Sequence, residues 1–188
     1  MKTLIINGSP RRNGDTASLL KVLRETLVGE VVEISAYYDK ISPCIDCRAC
    51  KKTGSCALKD KMSIIYADDF DNVVIASPVY ISSLPGPLLS LASRLQVYYV
   101  AKRFLGQQIT MKEKTGALIL VGGGDGSSEE AKRVARYILK KLKAPLDDEM
   151  LVTSLNTDEV PAIQDAQAVT GVQRLALRLN QNEQQFPL

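Results

Sequence analysis

The stretch Leu4-Ile5-Ile6-Asn7-Gly8-Ser9-Pro10-Arg11-Arg12-Asn13-Gly14-Asp15-Thr16 runs from a short apolar segment into a polar turn that carries two glycines. Leu19, Leu20, Leu23 and Leu27 then recur at the spacing of one helix face. Strand, tight turn and helix make one βα unit, so a buried first strand should feed a helix that starts at its carboxyl end. A helix start carries unpaired N–H groups and the positive end of the helix dipole. Ser9 and Thr16 add hydroxyls, Arg11 or Arg12 adds charge, and Gly8 and Gly14 let the backbone turn tightly, so the turn can cradle an anion. It is not a Walker loop, which has four residues between its glycines and then Lys-Ser/Thr. Here five intervene, and Asp15 stands in the place of the Lys. Nor is it the Gly-x-Gly-x-x-Gly dinucleotide loop. The plain alternative is a polar turn whose helix is capped by Asp15 or Thr16.

Outward from this unit the alternation continues. Glu30 to Ile34, Val73 to Ala76, Thr115 to Val121 and Glu149 to Val152 read as four further strands. Leu88 to Phe104 reads as one largely apolar helix, and Ala131, Val134, Ala135, Ile138, Leu139 and Leu142 form a 3.6-period stripe. Ile163 to Leu179 reads as the closing helix, and the polar tail from Gln181 as a frayed end. Ser35 to Lys61 has no period. Strands alternating with helices predict an α/β, doubly wound parallel sheet of five strands in the order 2-1-3-4-5. No linker or repeat divides the chain, so residues 1–188 are expected to form one domain.

Composition narrows the functions. The chain is 45% hydrophobic, enough for a sizeable core, and has no apolar run near the length of a membrane span. Its net charge of +3 is mild and mixed along the sequence, which gives no nucleic-acid footprint. The N-terminus shows no signal-peptide pattern, so a cytoplasmic location is expected. There is no histidine, which removes the commonest general base and metal ligand. Chemistry must then come from a cofactor, from thiols or from carboxylates.

All four cysteines lie in Cys44-Ile45-Asp46-Cys47-Arg48-Ala49-Cys50 and, five residues on, Cys56. Two-residue spacings let successive thiols turn toward one centre. Arg48, Lys51, Lys52, Lys59 and Lys61 surround them with positive charge. The pattern admits an iron–sulfur cluster, redox-active or free thiols, zinc or a disulfide.

Gly8-Ser9-Pro10-Arg11 followed by Gly14-Asp15-Thr16, then Ser77-Pro78-Val79-Tyr80 at the end of the third strand, then Gly122-Gly123-Gly124-Asp125-Gly126 after the fourth, resemble in this order the motifs of the NAD(P)H-dependent FMN reductase and iron–sulfur flavoprotein families. The likeness covers roughly Lys2 to Leu142. It implies a flavodoxin-like fold and FMN as cofactor, with the phosphate at Ser9, Arg11, Gly14, Asp15 and Thr16. It implies ring contacts at Pro78, Val79, Tyr80 and Ile81, with Gly122, Gly123 and Gly124 closing over the other edge. At Asp15 the sequence departs from the Asn usual in these families, and a carboxylate beside a phosphate is repulsive unless it turns away. The cysteine array looks like the one that holds a [4Fe-4S] cluster beside FMN in iron–sulfur flavoproteins, which implies Cys44, Cys47, Cys50 and Cys56 as metal ligands. The function implied is an FMN-dependent NAD(P)H oxidoreductase that passes electrons to an unknown acceptor, as a homodimer or higher homo-oligomer. The rivals are a non-enzymatic electron carrier like flavodoxin, usually far more acidic, and a flavin-free binding domain on the same fold.

Overall fold

The computed structural model describes residues 1–107 and 110–181. Five parallel strands, β1 (Lys2–Asn7), β2 (Glu30–Ser35), β3 (Asn72–Pro78), β4 (Thr115–Val121) and β5 (Leu146–Ser154), form one sheet in the order β2-β1-β3-β4-β5. The helices between and after them are α1 (Asp15–Thr26), α2 (Cys50–Thr53), α3 (Met62–Tyr66), α4 (Gly86–Ser93), α5 (Gln96–Leu105), α6 (Glu129–Lys141) and α7 (Ala166–Asn180). The predicted fold class and strand order are those observed.

β1, β3 and β4 are buried almost along their whole length, as expected of parallel strands covered on both faces. Ile5, Ile6, Val74, Ile75 and Leu118 to Leu120 are fully buried, each side chain contributing about 1.5–3 kcal/mol. α1 and α7 pack on each other, and Asn180 ties them by accepting from the Val28 N–H and donating to the Thr26 carbonyl. The strand order changes direction between β1 and β3, which opens a crevice at their carboxyl ends.

Three boundaries differ from the sequence reading, each for a local reason. The apolar run from Leu88 to Phe104 is two helices, not one. At Arg94 and Leu95 the chain tightens into i→i+3 bonds, the Tyr66 hydroxyl donates to the Arg94 carbonyl at 3.0 Å, and the Arg94 side chain turns inward. The last helix starts at Ala166 rather than Ile163, because Asp165 caps it by accepting from the Gln167 and Ala168 N–H groups. β5 begins three residues before the expected Glu149, since it is an edge strand. Its Asp147, Asp148 and Glu149 are exposed, and a register shift against β4 accommodates them. The end expected to fray, residues 182–188, lies outside the described residues. No described helix is long and apolar enough to cross a membrane.

Candidate functional site

The turn after β1 is built by close approach. Gly8 continues the sheet, its N–H donating to the Ala76 carbonyl at 2.8 Å, and it lies flat against β3 and α4. A Cβ placed there would stand 2.7 Å from the Ser77 Oγ and 2.9 Å from the Leu88 Cδ2, so only glycine fits without displacement. Ser9 is 5% exposed; its N–H donates to Asn7 Oδ1, and its hydroxyl accepts from the Arg11 N–H at 3.2 Å. The two arginines separate in role. Arg12 stacks on the Tyr38 ring at 4.3 Å, whose hydroxyl in turn donates to the Pro10 carbonyl, whereas Arg11 lines the crevice.

α1 then starts with no side-chain cap. Gly14 is its N-cap residue and no side chain accepts from its first amides, so capping by Asp15 or Thr16, the plain alternative, does not occur. The Asp15 carboxylate instead accepts from the Ala162 N–H at 2.8 Å, tying α1 to the loop after β5. That contact gives the charge a partner 147 residues away in sequence.

A cleft of about 190 Å³ opens over this helix start. It brings together Ser9, Arg11, Gly14, Asp15, Thr16, Pro78, Val79, Tyr80, Gly122 and Gly123 from three strand ends. Two residues named with them lie outside its lining. Ile81 is fully exposed with φ +49°, and Gly124 has open space around its Cα. Ile81 and Ser82 both hold positive φ in a tight turn closed by two hydrogen bonds between Tyr80 and Ser83. A β-branched residue in that region is strained. The same turn is fastened to α6, as the Ser82 carbonyl accepts from the Ala131 N–H.

The sequence reading missed one wall of the cleft. Thr157 and Asp158, in the loop after β5, donate their N–H groups to the Gly122 and Gly123 carbonyls at 2.9 and 3.0 Å. The Asp158 carboxylate fills the space a side chain at position 123 would need. No residue type marked this loop beforehand. Tyr37 lies near Tyr80, its phenol pKa raised by burial and by that neighbour.

The cysteines gather elsewhere. All four line one cavity of about 240 Å³, walled by Val97, Tyr99, Val100 and Phe104 of α5, and it shares no residue with the cleft. Cys44 and Cys47 are exposed, Cys50 and Cys56 half-buried, and all are unpaired. Burial pushes the Cys50 thiol pKa up, and the three other cysteines add to it. Among the described residues no three His, Cys, Asp or Glu side chains are grouped so as to hold a metal ion. One tetrahedral ion draws its sulfurs to a single centre, whereas a four-iron cluster spreads them over separate irons.

Arg94 floors this cavity and was not foreseen. Its side chain is fully buried, with Nη1 donating to Asp60 Oδ2 at 2.8 Å and to the Ser42 carbonyl, and Nη2 to the Leu58 carbonyl. Burial opposes its charge, but the Asp60 hydrogen bond, Tyr66 and Cys56 raise its pKa above the ordinary arginine value. Its Nε–H has no partner. The Cys44 N–H donates to Ser93 Oγ at 2.9 Å, so α4 carries Leu88 against the phosphate-side turn and Ser93 against the cysteine loop.

An open parallel sheet with strand-end loops converging on an uncapped helix start defines the flavodoxin-like class. Solved structures agree in fold. An FMN-dependent NADH-azoreductase from Bacillus anthracis, in complex with FMN, superposes with a TM-score of 0.69 at 16% identity, covering 96% of this chain and 100% of that one. An NAD(P)H:quinone oxidoreductase from Methanothermobacter marburgensis gives 0.63 at 14% identity, over 100% and 98% of the two chains. Residues 1–153 match the NADPH-dependent FMN reductase family, and the chain belongs to it. An iron–sulfur flavoprotein of Archaeoglobus fulgidus is 32% identical over 149 residues, 77% of this chain and 63% of that protein. One from Methanocaldococcus jannaschii is 29% identical over 135 residues, 69% and 66% of the two. The matches thus span about two thirds of these relatives' own lengths.

Proposed function

We propose that this protein is an FMN-dependent NAD(P)H oxidoreductase. The observation that carries the reading is the uncapped start of α1 beneath a cleft lined by Ser9, Arg11 and Thr16. Free first-turn amides, a positive dipole end and one unstacked arginine suit a phosphate. Asp15 lines the same cleft, its carboxylate engaged by the Ala162 N–H. Pro78 to Tyr80 and the Gly122-Gly123 backbone supply flat, close walls for a ring, and the strained Ile81 turn stands at the open edge. When bound, FMN supplies hydride acceptance from a reduced nicotinamide, so the absent histidine is no obstacle.

The reading extends to a [4Fe-4S] cluster held by Cys44, Cys47, Cys50 and Cys56, as the name of the relatives suggests. Convergence of all four thiols on one cavity supports it. α4 meets Gly8 of the first turn at Leu88 and the cysteine loop at Ser93, five residues and about 7.5 Å of helix rise apart. A cluster there would serve as an electron relay toward the acceptor.

Stopped-flow mixing of the FMN-loaded protein with NADH and with NADPH tests the function. Bleaching of the flavin band by one of them is expected. If dithionite bleaches the flavin and neither nucleotide does, a flavodoxin-like carrier is the better reading.

A further inference from the structure

We infer that Arg94 is a positioning residue for an anionic group in the cysteine cavity, its Nε–H directed to a sulfur of the bound iron–sulfur cluster. The inference rests on the cluster reading above and concerns a residue outside the cysteine pattern. Arg94 is 2% exposed, lines the cavity with all four thiols, and has one buried donor without an acceptor. A buried N–H left unpaired is costly, so native interiors rarely keep one unless a ligand completes it.

The other guanidinium donors explain why this one is aimed. The Ser42 carbonyl before the cysteines, and the Leu58 carbonyl and Asp60 after them, hold Nη1 and Nη2. The plane of the group is thereby fixed, and Cys56 lies close enough to interact with it. The break between α4 and α5 puts Arg94 at this spot. The Tyr66 hydroxyl fastens that break by donating to the Arg94 carbonyl. Four thiolates and a cluster form a net anion, and hydrogen bonds to cluster sulfurs raise the reduction potential by stabilising the more negative state. Of the other charges lining the cavity, Arg48 is exposed and Lys51 is half-buried over the Phe104 ring. Arg94 is the charge enclosed with the thiols.

The test begins with anaerobic reconstitution of the full chain with iron and sulfide, followed by iron analysis and an EPR-monitored redox titration. Wild type should bind four irons. Arg94→Lys keeps a positive charge but has no Nε donor. It should favour the oxidised cluster about tenfold more than wild type, a fall of about 59 mV for one electron. Asp60→Asn loosens the same anchor but keeps the guanidinium, and should leave the potential within a small fraction of that shift. Arg94→Lys at the wild-type potential with four irons would overturn the inference and leave the cluster reading intact. Equal shifts in both variants would also overturn it, reducing Arg94 to a structural anchor. Wild type without stoichiometric iron removes the cluster reading and the inference together. Should Arg94→Lys not fold, pulsed EPR of wild type grown with 15N-arginine decides the matter. A nitrogen coupling to the reduced cluster that persists in Arg48→Lys is expected, and its absence is fatal.

Discussion

The loops after β1 and β2 leave neighbouring strands of one sheet, yet they are made in opposite ways. The first is short, with Gly8, Ser9 and Thr16 buried and its turn closed by backbone N–H groups donating to Asn7 and Ser9 and by the Tyr38 hydroxyl donating to Pro10. The second runs from Ala36 to Lys61 and holds Lys40, Asp46 and Arg48 at positive φ, with two of its cysteines exposed. It is fastened by Arg94, by Ser93 and by the packing of α2 on α5, and these enclose a cavity lined by unpaired thiols. The difference separates two strategies of binding. A preformed loop pays its ordering cost during folding and binds its ligand directly. A loop whose thiols still surround a cavity couples ligand binding to local ordering, as metal sites commonly do.

The comparison breaks most visibly if the first loop is not the phosphate cradle. Replacing both Ser9 and Thr16 by Ala removes two hydrogen bonds to a charged group, about 1.5–3 kcal/mol each. FMN affinity should fall about 10²- to 10⁴-fold. Riboflavin, which lacks the phosphate, should lose little. Titration of both flavins by fluorescence quenching measures this, and equal losses would move the phosphate elsewhere.

The second loop depends on its margin, so Asp60→Asn should weaken it. At pH 7 the loss of the Arg94 ion pair should lower stability by about 1.5–3 kcal/mol, measured by urea unfolding. Burial raises the Asp60 pKa, but the hydrogen bonds from Arg94 and Met62 outweigh it and hold the carboxyl below its ordinary 3.8. A carboxyl depressed in the folded state contributes stability above its unfolded pKa and loses it as pH falls through the folded value. The gap between wild type and variant should therefore be full at pH 6 and close below about pH 3.8. A gap that stays constant down to pH 2.5 would show that the ion pair does not hold the loop.

Much of this was legible beforehand, and the reasons are local. Buried central strands carry unbroken apolar runs, so β1, β3 and β4 declared themselves, whereas the acidic start of β5 did not because edge strands tolerate charge. Ten of the thirteen cleft residues could be named, because glycines and prolines mark where strands end. Thr157, Asp158 and Arg94 could not. Their roles arise from contacts across the fold, and a lone arginine inside an apolar helix pattern gives no sign of whether it turns to solvent or beneath a loop.

Glycine substitutions sharpen the contrast between filled and open backbone. Gly8→Ala must push aside Ser77 and Leu88, which costs roughly 1–3 kcal/mol for an overpacked site. Gly124→Ala meets nothing within 4 Å and should leave the unfolding midpoint unchanged. Differential scanning calorimetry of the two variants compares them directly. Equal behaviour would mean that the first loop is less tightly built than its contacts indicate.

The smallest expected effect concerns Asp15, where the preformed loop carries an unusual charge. Its carboxylate accepts from the Ala162 N–H, and this serves the fold by joining α1 to the loop after β5. The charge itself does nothing for a phosphate at the same helix start. Asp15→Asn retains an oxygen acceptor for Ala162 and removes the charge. At separations of a few ångströms in a solvated cleft the repulsion relieved is below about 1 kcal/mol. FMN should then bind up to about fivefold more tightly, riboflavin should not change, and the gain should shrink as salt is raised. Asp15→Ala relieves the same repulsion but loses the tie, so its unfolding midpoint should fall while that of Asp15→Asn holds. Weaker FMN binding in Asp15→Asn would show that the carboxylate contributes to the phosphate site, by holding the loop or a bound water, and that its turn toward Ala162 is not its whole role.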